Sequence, residues 1–308
     1  NKFYYDRSNP LISDYQYDNL KNEILEIEKK FPNIITNQSP SLTVGFKPSK
    51  NFKKVKHKIP MLSLGNAFSE EDLNNFEKKI SNFLSFNENN KIIEYSAEPK
   101  IDGISASLVY KNGKFVQGLS RGDGKEGEDI TENLKTIKDI PKTIKEKNFP
   151  DQIDIRGEVF IQNKDFKKIN AKFANPRNAA SGSLRQKDPI ATSKIPLKFI
   201  AYTFGYSKKM NITKQSDFLK NLKIWGFKTN PFNKVINGVK NLILNHKILE
   251  EKRKEMEFDI DGIVYKVNDF NLQNRLGFAA NAPRWAIAHK FSANNSISEI
   301  LKIEIQVG

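Results

Sequence analysis

The hydrophobic period changes once along this chain, and that change constrains the fold more than any other feature. Up to residue 91, apolar side chains recur at three- and four-residue steps; from Ile92 they recur at every second residue. Tyr17, Leu20, Ile24, Ile27 and Phe31 predict a helix capped by Asp14 and stopped by Pro32. Ser69, with Asp72 three residues on, predicts a capping box for a second helix that carries Leu73, Phe76, Ile80 and Phe83 on one face. Between them, Ser39 to Lys58 is rich in Pro, Ser and Lys and reads as a linker.

The period-two stretches are Ile104 to Tyr110, Phe115 to Ser120, Ile153 to Ile161, Ile263 to Val267 and Trp285 to Phe291. Asn112-Gly113 between the first two is a type I′ hairpin signal. Lys164 to Phe173, Ser216 to Trp225 and Leu242 to Lys254 have helical spacing, and Ile300 to Val307 reads as a last strand. Strands joined by tight turns, broken by helices without a βαβ rhythm, predict an α+β fold with mainly antiparallel sheets and flanking helices. The chain shows no internal repeat.

At 308 residues the chain can bury a sizeable core, to which its 22 Phe contribute. No window reaches the ~18 consecutive apolar residues of a membrane helix. The absence of cysteine excludes disulfides and thiolate metal sites, and favours a cytoplasmic origin. His57, His246 and His289 lack metal-ligand spacing and read as packing or surface residues. The net charge of +15 and a pI near 9.6 suit a polyanionic partner. A genome biased toward Lys, Asn and Ile would produce the same excess.

No P-loop, nucleotide glycine fingerprint or Ser-His-Asp set is evident. What stands out are lysines and acids on strands beside small neighbours. Glu98-Pro99-Lys100-Ile101-Asp102-Gly103 places a lysine at a turn between two acids, either projecting into a cleft or simply solvated. Arg156 and Glu158 share a strand face, either as a surface ion pair or with Glu158 free to accept hydrogen bonds from a ribose. Lys266 shares its face with Val264 and Gly262, and Lys290 shares its face with Ala288 and Ala286. Small neighbours leave room for a ligand. Ser120 to Asp129 is a charged, glycine-punctuated loop. Asn175 to Arg185 reads as a loop leading into a helix, and its two arginines suit phosphate.

An amine attacks phosphorus only when neutral, whereas a free lysine has a pKa of about 10.4, and bringing it near neutrality takes roughly 4 kcal/mol. Convergence of Lys266, Lys290 and Arg121 on Lys100 would lower it. The same cations would stabilise charge on a transferred phosphate.

The Lys100 segment resembles the adenylation motif of covalent nucleotidyltransferases, whose fold is ATP-grasp-like. With the Arg121 loop, Arg156 to Val159, Asn175 to Arg185, Asp261 to Lys266 and Trp285 to Phe291, in that order, the chain is similar to the NAD⁺-dependent DNA ligases of bacteria. Tyr4-Tyr5-Asp6 and Ile12 to Asp18 resemble the small helical domain that this branch uses to clamp the nicotinamide mononucleotide half of NAD⁺. The resemblance implies a helical domain and linker over 1–53, a nucleotidyltransferase domain over 54–298, and the start of an absent OB-fold domain over 299–308. The chain would then be an adenylation fragment that loads AMP but seals few or no nicks. A zinc finger and its Zn²⁺ would belong to the absent region.

The resemblance further implies that Lys100 is the nucleophile. Glu98, Arg121, Glu158, Lys266, Lys290, Ser63 and Leu64 would line the adenylate pocket, while Tyr4, Tyr5, Asp14, Tyr17 and Asp18 would hold nicotinamide mononucleotide. Arg177, Arg185 and Arg253 would lie around a DNA nick, and Asp102 and Asp261 would place hydrated Mg²⁺ through water. It implies a monomer acting on nicked double-stranded DNA, cytoplasmic and nucleoid-associated, with no membrane partner. Departures are His289 where Phe or Tyr is usual, and Ala279 and Asn281 where Thr and a basic residue are common. The competing readings are an ATP- or GTP-dependent nucleotidyltransferase, which has no reason to keep Tyr4 to Asp18, and a non-catalytic nucleic-acid clamp.

Overall fold

The computed structural model describes residues 14–36, 39, 52–86, 92–169, 173–279 and 282–292, apart from the side chains of residues 14, 15 and 18. In chain order, the first elements are α1 (Asp14–Lys30), β1 (Lys54–Lys56), β2 (Gly65–Ala67), α2 (Glu70–Leu84), β3 (Glu94–Ile101), β4 (Ile104–Lys111), β5 (Lys114–Ser120) and β6 (Glu126–Glu128). Then come α3 (Thr131–Lys135), β7 (Gln152–Ile161), α4 (Asn163–Phe166), α5 (Pro176–Leu184), α6 (Pro189–Ser193) and β8 (Leu197–Lys208). The remainder comprises α7 (Gln215–Ile224), β9 (Lys234–Asn237), α8 (Val239–Lys252), β10 (Ile260–Val267), α9 (Phe270–Leu276), β11 (Phe278–Ala279), β12 (Ala282–Pro283) and β13 (Ala286–Lys290).

Two sheets carry the architecture. One has five strands in the order β2-β13-β10-β3-β9, antiparallel except for the parallel β2–β13 pair. The other has four antiparallel strands in the order β5-β4-β7-β8. The α+β expectation, with mainly antiparallel sheets, therefore holds. Each sheet packs helices on its outer face. Leu73, Phe76 and Ile80 of α2, with Leu242 and Leu249 of α8, bury against Tyr95, Ile263 and Tyr265. Leu134, Leu184, Phe218 and Trp225 bury against Leu108, Ile155 and Phe199. Side chains this fully enclosed contribute ~1.5–3 kcal/mol each.

Local chemistry explains the main boundaries. Ser69 caps α2 in a capping box: Asp72 N–H donates to Ser69 Oγ at 3.1 Å, and Ser69 N–H donates to Asp72 Oδ2 at 3.0 Å. Asn112 and Gly113 both have positive φ, 47° and 72°, as a type I′ turn between β4 and β5 requires. The step from β3 to β4 is the two-residue turn Asp102-Gly103, and there the chain crosses from one sheet to the other. A Cβ at position 103 would fall 2.5 Å from the Val159 carbonyl oxygen, so only glycine fits this crossing.

Several expectations change. Asp14 lies within α1 rather than ahead of it, and Leu20, Ile24, Ile27 and Phe31 are exposed rather than packed. Lys54–Lys56, read as linker, is a strand paired with Glu126–Glu128. On α2 the buried fourth position is Leu84, while Phe83 is exposed with the Arg284 guanidinium 5.3 Å from its ring centre. Lys164 to Phe173 yields, among the described residues, only the four-residue α4. Pro176 to Leu184, read as a loop leading into a helix, is helical from its first residue, because the Asn175 side chain caps it and Pro176 suits its first turn. Ile300 to Val307 lies outside the described residues. No described helix is long and apolar enough to cross a membrane.

Candidate active site

The inner faces of the two sheets enclose a cavity of about 690 Å³. Its chemistry follows from strand register. Gly262 of β10 pairs with Lys100 of β3 on one side and with Lys290 of β13 on the other. The next row on that face is Glu98, Val264 and Ala288, and the one after is Ser96, Lys266 and Ala286. Gly262 thus separates two lysines without placing a side chain between them. A Cβ there would collide with the His289 carbonyl.

At the first row, Lys100 Nζ and Lys290 Nζ each donate to Asp261 Oδ2 at 2.9 Å. Burial acts to raise the Asp261 pKa, but the two ammonium groups overcome it and hold the carboxyl near 2. Deeper on the same face, Lys266 Nζ of the third row donates to Glu98 Oε2 of the second at 2.7 Å and to the Tyr202 carbonyl at 3.1 Å. Glu98 Oε1 accepts from Ser96 Oγ and from Gln215 Nε2, both at 2.9 Å. A buried ion pair persists only when its remaining lone pairs are satisfied in this way. The expectation that Lys266, Lys290 and Arg121 crowd directly onto Lys100 is therefore changed. Acids interleave with the cations: Asp261 stands between two lysines, and Glu98 engages the third.

The second sheet faces this row with Glu158 of β7, which accepts from Ser105 Oγ at 3.0 Å. Burial pushes the Glu158 pKa up to about 7, against the opposing pull of Lys100, Arg177 and Arg121. Arg156 makes no ion pair with Glu158; it donates instead to the carbonyls of Ile59 and Pro60.

Of the residues singled out from sequence, Ser63, Leu64, Glu98, Lys100, Arg121, Glu158, Lys266 and Lys290 all line this one cavity. Tyr17 lines it as well, with Lys21 one helical turn on. So do Arg177, Arg185 and Asp261, whereas Arg253 and Asp102 do not. Arg177 pairs with Asp102 at 2.7 Å and Arg185 with Glu128 at 3.3 Å. Arg253 lies at the end of α8, donating to the Ser292 carbonyl at 3.2 Å. Tyr4, Tyr5 and Asn281, like the side chains of Asp14 and Asp18, lie outside the described residues.

The histidines do pack. His246 and His289 stack 3.6 Å apart behind the site, and burial together with His246 pushes the His289 pKa down to about 4. Sequence reading misses Ser105, Gln215 and the Tyr202 carbonyl, each distant in the chain from the acid or lysine it serves.

Over residues 49–294 the sequence matches the NAD-dependent DNA ligase adenylation domain. The chain belongs to that family. Residues 1–45 match the DNA ligase-like, N-terminal NAD⁺-binding domain. Across all 308 residues this adenylation-family chain is 73% identical to a DNA ligase of Pelagibacter ubique (strain HTCC1062), covering 100% of itself and 45% of that protein. It is 48% identical over 315 aligned residues to a DNA ligase of Bradyrhizobium sp. (strain ORS 278), again covering 100% of itself and 44% of the relative. It therefore spans less than half the length of these two relatives. Among solved structures, an archaeal ATP-dependent RNA ligase overlaps 91% of this chain and 64% of its own at 10% identity, with a TM-score of 0.43. A superposition that loose carries no further weight.

Proposed function

We propose that this chain performs the first chemical step of an NAD⁺-dependent DNA ligase, with Lys100 as its nucleophile. The observation that carries this reading is the Lys100–Gly262–Lys290 row, with Glu98 one row deeper, Lys266 two rows deeper and Glu158 opposite. Neutral Lys100 Nζ attacks the AMP phosphorus of NAD⁺. An N–P bond forms, the P–O bond to nicotinamide mononucleotide breaks, and a lysine–AMP phosphoramidate remains. The ammonium proton leaves to solvent, to which the Lys100 side chain is 26% open. Lys290 and Arg121 oppose the charge gathering on the phosphate. Glu98, Glu158, Lys266, Ser63 and Leu64 surround the nucleoside, and Tyr4, Tyr5, Asp14, Tyr17 and Asp18 hold the leaving half.

Mg²⁺ enters this reading only through water. Among the described residues no group of three or more His, Cys, Asp or Glu side chains could hold a metal. Asp102 is held by Arg177, and Asp261 Oδ2 by two lysines. Asp261 Oδ1, buried without a partner, fits a metal-bound water. A hydrated ion there would supply neutralisation of phosphate charge.

In the whole protein, AMP then passes to the 5′-phosphate of a nick in duplex DNA, with Arg177, Arg185 and Arg253 around it. On this reading the protein acts as a monomer on nicked duplex DNA, at the bacterial nucleoid.

Intact mass after incubation with Mg²⁺ and either NAD⁺ or ATP tests the reading. A gain of one AMP with NAD⁺ alone, lost in Lys100→Ala, is expected. Adenylation by ATP would point to an ATP- or GTP-dependent nucleotidyltransferase, and no adduct with either donor to a non-catalytic clamp.

A further inference from the structure

Arg156 is turned away from its strand neighbour Glu158, and its surroundings explain why. On β7 it lies opposite Thr203 of β8, and its guanidinium rests on Gly205 two residues on. A Cβ at position 205 would come within 2.6 Å of Nη2 and 2.9 Å of Cζ. From that seat Nη1 donates to the Pro60 carbonyl at 3.1 Å, and Nη2 donates to the Ile59 carbonyl. Two successive carbonyls on one planar cation is a geometry that lysine cannot reproduce.

The strand-free segment that these carbonyls belong to is tied on its other side to the Arg121 loop. His57 N–H donates to the Lys125 carbonyl at 2.9 Å, and Met61 N–H to the Gly124 carbonyl at 2.8 Å. His57 Nε2 lies 3.2 Å from the Arg121 carbonyl. Past Met61 the segment continues as Ser63 and Leu64 on the cavity wall, then becomes β2, which pairs with the Lys290 strand. A continuous path of hydrogen bonds thus runs from the second sheet, through residues 57–61, to the loop that carries Arg121.

We propose that Arg156 is a positioning residue for self-adenylation. Seated on Gly205, it fastens residues 59–64 to the second sheet and through them holds the Arg121 loop over the cavity. The catalytic part of this inference rests on the function proposed above; the fastening does not. Arg156, Gly205, Ile59 and Pro60 themselves line the cavity, and the loss of Arg156 acts through the fastened segment whether or not its guanidinium meets the nucleotide. Without it the Ile59 and Pro60 carbonyls turn to water, and the segment bearing Ser63 and Leu64 loses its anchor.

The test uses the full chain with Arg156→Met, Arg156→Lys and Gly205→Ala, the last keeping the arginine but filling its seat. Hydrogen–deuterium exchange reads the fastening directly, whatever the activity. Exchange at the His57 and Met61 amides should speed up about tenfold or more in Arg156→Met and Gly205→Ala, with the Leu108 amide of the β4–β7 ladder unchanged. In the adenylation assay, KM for NAD⁺ should rise about tenfold while kcat changes less, with Arg156→Lys in between. Unchanged exchange at His57 and Met61 would overturn the proposal. So would faster exchange with KM within twofold of wild type, since the segment would then be held without positioning anything. If the wild-type chain takes no AMP from NAD⁺, the functional reading fails, and the exchange result alone decides the fastening. Should Arg156→Met not fold, Gly205→Ala carries both measurements.

Discussion

The carboxyl of Glu158 sits within reach of Lys100, Arg177 and Arg121 and accepts a hydrogen bond from Ser105, yet burial outweighs them and lifts its pKa to about 7. The unfolded chain releases this proton near the ordinary carboxylate value, while the folded chain keeps it until about pH 7. Between those limits the native state binds more protons, so its stability falls as pH rises, and the full loss is present above the folded pKa. Glu158→Gln removes that slope. Its melting temperature relative to wild type should climb from pH 5 to pH 8 by roughly 2 °C or more. A gap that stays flat over the same range would mean that the cations win and the pKa is depressed, with Glu158 ionised in both states throughout. Side chains at this scale were legible in sequence where their chemistry is local. Lys100 and Glu98 stand two residues apart on one strand face, and Gly103 beside them marks a crossing only glycine fits. Ser105, Gln215 and the Tyr202 carbonyl were not legible, because each serves a group that only tertiary folding brings near.

Among elements, the β3–β10–β13 triplet does most to build the site, and Gly262 is where it is tightest. A methyl there meets backbone of the neighbouring strand, the His289 carbonyl and the Lys290 Cα, which cannot rotate aside. Gly262→Ala should destabilise the fold by about 2 kcal/mol, a drop of several degrees in melting temperature, and suppress AMP loading by parting Lys100 from Lys290. Gly65→Ala on β2 supplies the contrast, because a Cβ there meets nothing within 4 Å. That variant should stay within about 0.5 kcal/mol of wild type by thermal melting. Equal effects of the two substitutions would show that backbone entropy, and not close approach, governs this sheet. Period two found β4, β5, β7, β10 and β13, and the Ser69–Asp72 capping box found the start of α2. The same reasoning lost β1 in a Lys-rich stretch whose strand exists only by pairing with β6. It also put a loop ahead of the helix where α5 already begins, because Asn178 to Ser183 lacks an apolar stripe and is helical through its cap and its burial.

On the scale of the whole molecule, periodicity could say that sheets form but not which strands meet. β3 pairs with β10, more than 150 residues away, and a lone strand pattern carries no address for its partner. The cavity arises from that long-range pairing, so the site was legible as a set of residues and not as a place. The charge of +15 is the other molecular property, and composition leaves open whether it marks a DNA-binding surface or a Lys-rich chain. Salt dependence separates the two. Three phosphate contacts from Arg177, Arg185 and Arg253 would give a log–log slope of about −2.7 for binding to a nicked duplex, or about a fortyfold loss between roughly 50 and 200 mM salt. Arg253 is the informative position, because it lies off the cavity wall and its guanidinium stands 5.6 Å from the Phe291 ring centre. If it meets phosphate, Arg253→Ala flattens the slope by about one. If it only packs against Phe291, the melting temperature falls and the slope stays. A slope near zero in the wild-type chain would assign the whole excess to composition, and the arginines around the cavity would then answer to the nucleotide alone.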